Sequence, residues 1–466
     1  MLLKAGPRAT ARSKPVVAHR LPSDPEVRRS PLPNRWYARL EVIVGIGFLL
    51  RLCTILVKHT YRMSPVDPMN TIENFKFSFE SGMVAGSLAS GLGFASPFGG
   101  NTGPTAWLAP VYPYLTAGVF KIFGIYTESS ALVLLVLNAL FSALTCVPVY
   151  FIARRFSDAR IARWTAWMWA LLPAAMYWSI KLVWETSLSA FLLTTLIWLT
   201  LELEKRDSVG LWLSWGALWA ILALTNPACC LILPFAGIWL CWRRQQLGRK
   251  WFALSALGGI VFLLVITPWE MRNLQIFHRV LPIRDNAAAE LRMGNSPGSD
   301  GLWMSWAHPS QSTLELARFR ELGETRYIAL KGAEAKQFIR EDPVRFLKLC
   351  LNRMVYFWAG VPKPGKSALS SASKNLFFML ISVMSLGGLF YLLRQRTPGT
   401  FVLLVATAIY PITYYVTFVD ARYRHPIEPV LVFLGTYLVF QARELRTEPE
   451  RLPMEDTQAT VGSVAA

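Results

Sequence analysis

Apolar residues along this chain gather into runs of bilayer length, separated by short charged stretches. The runs cover residues 40–57, 107–123, 131–153, 161–180, 186–201, 211–225, 228–242, 251–269, 376–393, 401–419 and 427–441. A membrane-crossing helix needs about 20 predominantly apolar residues, so the pattern predicts an all-α polytopic membrane protein. Asn226-Pro227 interrupts what would otherwise be one long apolar stretch and reads as a hairpin. Arg51, inside the first run, is an oddity. Two long polar segments break the rhythm, at 58–129 and 270–374. The first carries Phe79-Glu80-Ser81-Gly82-Met83-Val84-Ala85 and then Gly91-Leu92-Gly93-Phe94, an acid in a glycine-rich loop at a membrane boundary. The second contains the turn-rich Asn295-Ser296-Pro297-Gly298-Ser299 and a pattern for a short helix over 313–340.

Positive charge decides the orientation. If 107–123 crosses the membrane, the inside loops up to residue 250 contain one Lys/Arg, Lys181. If it lies along the outer interface, the inside loops become 154–163, 202–210 and 242–250, with four, two and four. Positive residues in short loops stay cytoplasmic, so 107–123 reads as an outer amphipathic helix. Arg345, Lys348 and Arg353 interrupt the apolar pattern of 344–360 in the same way, giving a second outer interfacial helix. The count is then about ten transmembrane helices with both termini inside; the alternative, with both helices crossing, is twelve.

Composition agrees. The chain is 53% hydrophobic and 17% charged, with 18 Trp and 15 Tyr, residues that settle at bilayer–water boundaries. The net charge of +19 sits in short loops and in the Arg/Pro-rich tail over 1–38, where anionic lipid accounts for it. No aromatic-interleaved basic motif accompanies it, so nucleic acid is not expected as a partner. Six cysteines form no CxxC pair or Cys/His spacing and read as packing residues. The tail reads as a disordered cytoplasmic segment followed by a retained anchor.

Ionisable groups at a membrane boundary are costly and therefore informative. Under the ten-span topology four places share the outer side: Glu80; Lys181 and Glu185 beside Trp184; Arg272 after Pro268-Trp269; and Arg422, Tyr423, Arg424 and His425 between the last two spans. Arginine holds phosphate oxygens in a planar fork, and a carboxylate within reach of a hydroxyl can take its proton. This combination suits transfer of a group from a phosphate ester to a hydroxyl. The plainer readings are a solvated or capping role for Glu80, a helix cap at Glu185, headgroup snorkelling for Lys181, interfacial anchoring for Arg422 and Arg424, and an orienting role for His425. No HExxH, GxSxG, P-loop or EF-hand pattern is present.

The order of these features resembles membrane glycosyltransferases of the GT-C fold, especially the protein O-mannosyltransferase and aminoarabinose transferase group (glycosyltransferase family 39). The resemblance runs from about residue 40 to 440. It rests on the acid of the first outer loop and on Trp107-Leu108-Ala109-Pro110-Val111-Tyr112-Pro113-Tyr114 ending in Phe120-Lys121-Ile122-Phe123-Gly124. It also rests on Trp184-Glu185-Thr186-Ser187-Leu188, Pro268-Trp269-Glu270-Met271-Arg272-Asn273, Gly294-Asn295 and Arg422-Tyr423-Arg424-His425-Pro426. It implies a polyprenyl-phosphate sugar donor, inversion at the anomeric carbon and a site on the non-cytoplasmic face. Glu80 matches the family's base and Glu185 its second acidic position. Arg422 or Arg424 matches the basic residue near the donor phosphate, with Arg272 as a further candidate for that phosphate. Lys181, Tyr423 and His425 become possible substrate contacts. Family members often carry Asp or an acidic pair at the first site, whereas Ser81 follows Glu80 here; no metal is expected, a divalent ion being the less favoured alternative. The usual His/Lys-Pro-Pro of the interfacial helix is also replaced, by Ala109-Pro110-Val111-Tyr112-Pro113.

The sequence therefore predicts a GT-C-like bundle with five parts: a basic tail over 1–38, a catalytic membrane module over 39–269 including the outer loop 58–129, an outer region over 270–374, C-terminal membrane helices over 375–441 and a cytoplasmic tail over 442–466. The expected activity is an inverting sugar transfer to a hydroxyl of a protein, lipid or glycan, at the outer face of a bacterial inner membrane. The competing class is a polytopic transporter or lipid flippase, in which the same charges would line a pathway; a catalytically dead scaffold is a third reading.

Overall fold

The structure is a computed structural model and describes residues 39–63, 77–361 and 368–447. The tail over 1–38 and the end of the chain beyond 447 lie outside the described residues. The order is α1 (Leu40–Val57), α2 (Phe79–Ala89), α3 (Val111–Phe123), α4 (Glu128–Leu144), α5 (Cys146–Phe156), α6 (Ala159–Leu171), α7 (Pro173–Lys181), α8 (Thr186–Leu203), α9 (Val209–Ala223), α10 (Leu233–Gln246) and α11 (Phe252–Phe277). The second long polar segment adds α12 (Ala287–Gly294), α13 (Thr313–Glu341) and α14 (Pro343–Ala359). The chain ends with α15 (Ala368–Arg394), α16 (Thr400–Ala408), α17 (Ile412–Val416) and α18 (Glu428–Thr447). Among the described residues the only β pairings are isolated bridges.

Among the described residues, five helical stretches are long and apolar enough to cross a membrane: Leu40–Val57, Glu128–Phe156, Thr186–Leu203, Phe252–Phe277 and Asn375–Arg394. Of the other expected spans, 161–180 and 401–419 are each two shorter helices joined end to end, while 211–225 is the single helix α9 and 427–441 lies in α18. The run over 161–180 breaks where Pro173 starts α7, because proline has no N–H to continue the preceding helix. The run over 401–419 breaks between α16 and α17, ahead of Pro411. Asn226-Pro227 opens a 3-10 turn, Pro227–Ile232, that leads into α10. With 13 residues, α3 rises about 20 Å, short of the roughly 30 Å hydrocarbon core, which suits the interfacial reading.

Two expectations about elements need correction. The glycine-rich stretch around Glu80 is not a loop: it is helical as α2, with Glu80 in its first turn. Its glycines serve close packing, since a Cβ on Gly82 would collide with the Phe77 carbonyl. The short helix expected over 313–340 runs from Thr313 to Glu341 and breaks at Gly323, whose φ of 72° suits a residue without a Cβ. Ser312 caps its start by accepting from the Glu315 N–H.

Buried arginines tie the bundle together. Arg51 donates to the carbonyls of Gly47 and Ala170 (each 2.8 Å) and to Ser142 Oγ (3.1 Å), so the first span's odd charge is absorbed between α1, α4 and α6. At the C-terminal end of α8, Glu204 pairs with Arg155 (2.5 Å) and Arg243 (2.6 Å). Arg244 there bonds Asp207 and the carbonyls of Leu203, Arg206 and Lys250. Eighteen residues of α8, about 27 Å, separate this basic end from Glu185.

Candidate active site

At the Glu185 end of α8 several elements close over a cavity. Its walls come from α2, α3, the turn after α9, the segment 284–308, α17 and the 3-10 turn Ala421–Ile427. Asn295 Nδ2 donates to the Val416 carbonyl (2.9 Å), and a bridge pairs Leu302 with Val419, so the segment 284–308 is fastened across the C-terminal helices. Glu324 fixes the opposite wall: it accepts from Thr105 Oγ1 and from the Ala106 N–H (2.6 Å), setting Trp107 against the cavity. Burial pushes the Glu324 carboxyl up to about 7.

Four of the sequence candidates meet in this cavity: Glu80, Glu185, Arg422 and Tyr423. The Glu80 side chain is 26% exposed, open toward the cavity, and its Oε1 lies 3.3 Å from Nε2 of His308. Burial pushes its carboxyl up to about 7, against the opposing pull of its own backbone N–H and of Arg422; Glu290 and Glu185 add to the rise. Arg422 stacks over the Trp184 ring at 3.7 Å and over Tyr423 at 5.1 Å. Its Nε is buried without a hydrogen bond among the described residues, with Asp420 Oδ1 at the ion-pair distance of 3.9 Å. Burial works against its charge, but Tyr423, Asp420 and Glu185 outweigh that and raise its pKa. Glu185 stands at the N-terminus of α8 and makes no side-chain capping bond there.

The other candidates lie elsewhere. Arg272 does not end a span: α11 continues to Phe277, and the guanidinium donates to the carbonyls of Thr105 (2.7 Å) and Phe94 (2.9 Å) while stacking on Trp269. Arg424 turns away from Arg422 into the bundle, where it pairs with Glu428 (3.2 Å) and donates to Ser382 Oγ and the Phe378 carbonyl. His425 bonds the other Glu428 oxygen at 2.8 Å. Lys181 is exposed, its ammonium over the Tyr177 ring.

The cavity also holds residues that sequence reasoning missed. Arg284 grips Glu290 through both carboxylate oxygens (3.2 and 3.3 Å), and Asn286 donates to the same acid at 2.8 Å. His308, Asn226, Trp303, Tyr112 and Tyr414 complete the lining. The Trp303-Met304-Ser305-Trp306-Ala307-His308 cluster, aromatic within a polar segment, was the one signal that could have marked this wall. Among the described residues no group of three or more His, Cys, Asp and Glu side chains is placed to hold a metal ion. The cavity's carboxylates are engaged separately, Glu80 by His308 and Glu290 by Arg284 and Asn286.

Residues 107–270 match a family model described as dolichyl-phosphate-mannose-protein mannosyltransferase. Among solved structures, the chain is similar to the archaeal oligosaccharyltransferase AglB from Archaeoglobus fulgidus, in complex with an inhibitory peptide and a dolichol-phosphate. Identity is 15%, over 90% of this chain and 53% of that one, with a TM-score of 0.50. The chain thus spans about half the length of that enzyme. ArnT from Cupriavidus metallidurans, bound to undecaprenyl phosphate, gives 14% identity over 87% of this chain and 78% of its own, with a TM-score of 0.34. No curated protein matches the chain. The fold is the all-helical GT-C-like bundle that the sequence predicts.

Proposed function

We propose that the chain is an inverting glycosyltransferase that moves a sugar from a polyprenyl-phosphate donor to a hydroxyl of a protein, lipid or glycan, at the outer face of a bacterial inner membrane. The observation that carries this reading is the convergence of Glu80 and Arg422 in one cavity, at the end of α8 opposite the basic cluster around Glu204. Positive loops stay cytoplasmic, which turns the cavity outward. The mannosyltransferase family match over 107–270 and the dolichol-phosphate of the AglB complex support the donor class.

In this mechanism Glu80 takes the proton of the acceptor hydroxyl as its oxygen attacks the anomeric carbon. The bond from that carbon to the phosphate oxygen breaks on the opposite face, and polyprenyl phosphate leaves with the electron pair. Arg422 meets the charge that grows on the leaving phosphate; its stacking on Trp184 and an Nε that makes no hydrogen bond among the described residues, with Asp420 Oδ1 at 3.9 Å, leave a donor ready in a poorly hydrated setting, where such a contact is strong. An acid with a pKa near the working pH combines basicity with a sufficient ionised fraction, as burial gives Glu80. Glu185, lining the same cavity, is suited to hold sugar hydroxyls as a carboxylate acceptor. Arg272, Arg424 and His425 hold backbone and Glu428 in place instead of contacting phosphate.

The test is transfer by the purified protein in liposomes, with radiolabelled polyprenyl-phosphate sugars, mannose first, and membranes of a deletion strain as the acceptor source. Movement of label from the lipid to the acceptor fraction supports the reading. If no polyprenyl-phosphate sugar is consumed, and the deletion strain lacks no glycan by mass spectrometry, the proposal fails.

A further inference from the structure

We infer that His308 is the positioning residue for Glu80: a neutral imidazole with its proton on Nε2, it donates to Oε1 and leaves Oε2 to receive the acceptor's proton. The inference rests on the reading of Glu80 as the base. The tautomer follows from the backbone. Ser310 N–H points at His308 Nδ1 at 3.1 Å, and the Ser310 hydroxyl lies 2.6 Å from the same nitrogen. A nitrogen that accepts a backbone N–H carries no proton, so the imidazole's one proton sits on Nε2. That atom is the one 3.3 Å from Glu80 Oε1.

The ring is held on its remaining sides. Phe98 and Trp107 meet it edge-on at 5.5 and 5.8 Å between centroids, and Trp303 lies at 5.9 Å. His308 is 5% exposed, and this burial keeps it neutral, lowering its pKa to about 3. It therefore steers Glu80 without neutralising it: an imidazolium would form an ion pair and weaken the base, whereas a neutral donor orients it. Donation to the ionised carboxylate also offsets part of the upward push from burial. Glu80 is faced besides by Arg422 and Tyr423 before α18, by Glu185 before α8, by Arg284 and Glu290 around the start of α12, by Tyr112 on α3 and by Tyr414 on α17. Among the described lining groups His308 is the one within hydrogen-bond distance of the Glu80 carboxylate.

Two measurements test this. The first needs no substrate: nuclear magnetic resonance of the full chain in lipid, with isotope-labelled histidine and His308→Gln to assign the signal. His308 should stay neutral with its proton on Nε2 from mildly acidic to mildly alkaline pH. Its shift should follow the Glu80 titration, and that response should vanish in Glu80→Gln. A proton on Nδ1, an imidazolium near neutral pH, or no response to Glu80 overturns the inference. The second is the pH profile of transfer. His308→Phe should lower the rate about tenfold and move the ascending midpoint upward by about one to two pH units, the size of a lost hydrogen bond to a charged group. His308→Gln, which keeps an N–H near the Nε2 position, should restore the wild-type midpoint. An unmoved midpoint in a folded His308→Phe protein overturns the inference, as does a His308→Gln profile that matches His308→Phe. If Glu80→Gln transfers sugar at the wild-type rate, the base assignment fails instead, and the resonance measurement still decides the His308–Glu80 contact.

Discussion

Arg422 and Arg424 are two residues apart, yet one faces the cavity and the other is locked in the bundle. The sequence grouped them because both follow the same apolar run; only the path of the 3-10 turn separates them. Their substitutions should therefore fail in different ways. Arg422→Ala should leave thermal stability close to wild type while raising the donor KM, read from initial rates against polyprenyl-phosphate sugar. Arg424→Ala strands Glu428, which is 1% exposed, without its guanidinium. Breaking a buried pair from one side costs about 3–5 kcal/mol, so this variant should lose its folded fraction in a thermal unfolding experiment, with the donor KM of the surviving protein unchanged. The reverse pattern would exchange the two roles. Glu185 and Arg422 were legible because charges at span ends are rare and conspicuous, Glu80 as an acid in a glycine-rich stretch, and Tyr423 as the neighbour of Arg422 in one short motif. Arg284, Asn286, Glu290 and His308 were not, because in a mixed outer segment such residues are unremarkable until the fold aims them at a cavity.

Helices read from the apolar pattern fell where the pattern put them, but their interruptions and the helix around Glu80 did not. A stretch such as Phe79-Glu80-Ser81-Gly82 suggests a turn when glycine is taken as a marker of flexibility. Its glycine is instead a contact surface, closed down onto the Phe77 backbone. Gly82→Ala should displace the first turn of α2, and with it Glu80, lowering the transfer rate at least tenfold while the chain still inserts and folds; circular dichroism beside the rate measurement checks both halves. Gly388 plays the same part between α15 and α18, where a Cβ would strike the Leu434 carbonyl. Gly388→Leu should separate these helices and lower the unfolding temperature without a selective effect on donor affinity. Neither role is visible in a single sequence, since close approach of two backbones belongs to the tertiary structure.

At the scale of the whole molecule, charge distribution joins fold to function. The basic cluster at one end of α8 and the acid-lined cavity at the other are separated by about the length of a bilayer core. The positive loops anticipated that polarity, and the apolar runs the all-helical fold class. The upper wall of the cavity came from the segment 284–308, whose polar, aperiodic sequence gives no hint of where it docks. The account's central claim is that Glu80 is the base for sugar transfer in this cavity, and its protonation supplies the most direct test. Because burial raises its pKa to about 7, the carboxylate is lost as pH falls through that value, and activity must fall with it. The measurement is kcat/KM for transfer from a polyprenyl-phosphate sugar across that pH range, for wild type and Glu80→Gln. The account predicts a wild-type rate that climbs to a plateau with a midpoint near 7, and a Glu80→Gln rate lower by about 10²–10⁴-fold with that limb gone. A Glu80→Gln enzyme with the wild-type rate and the wild-type limb would contradict it.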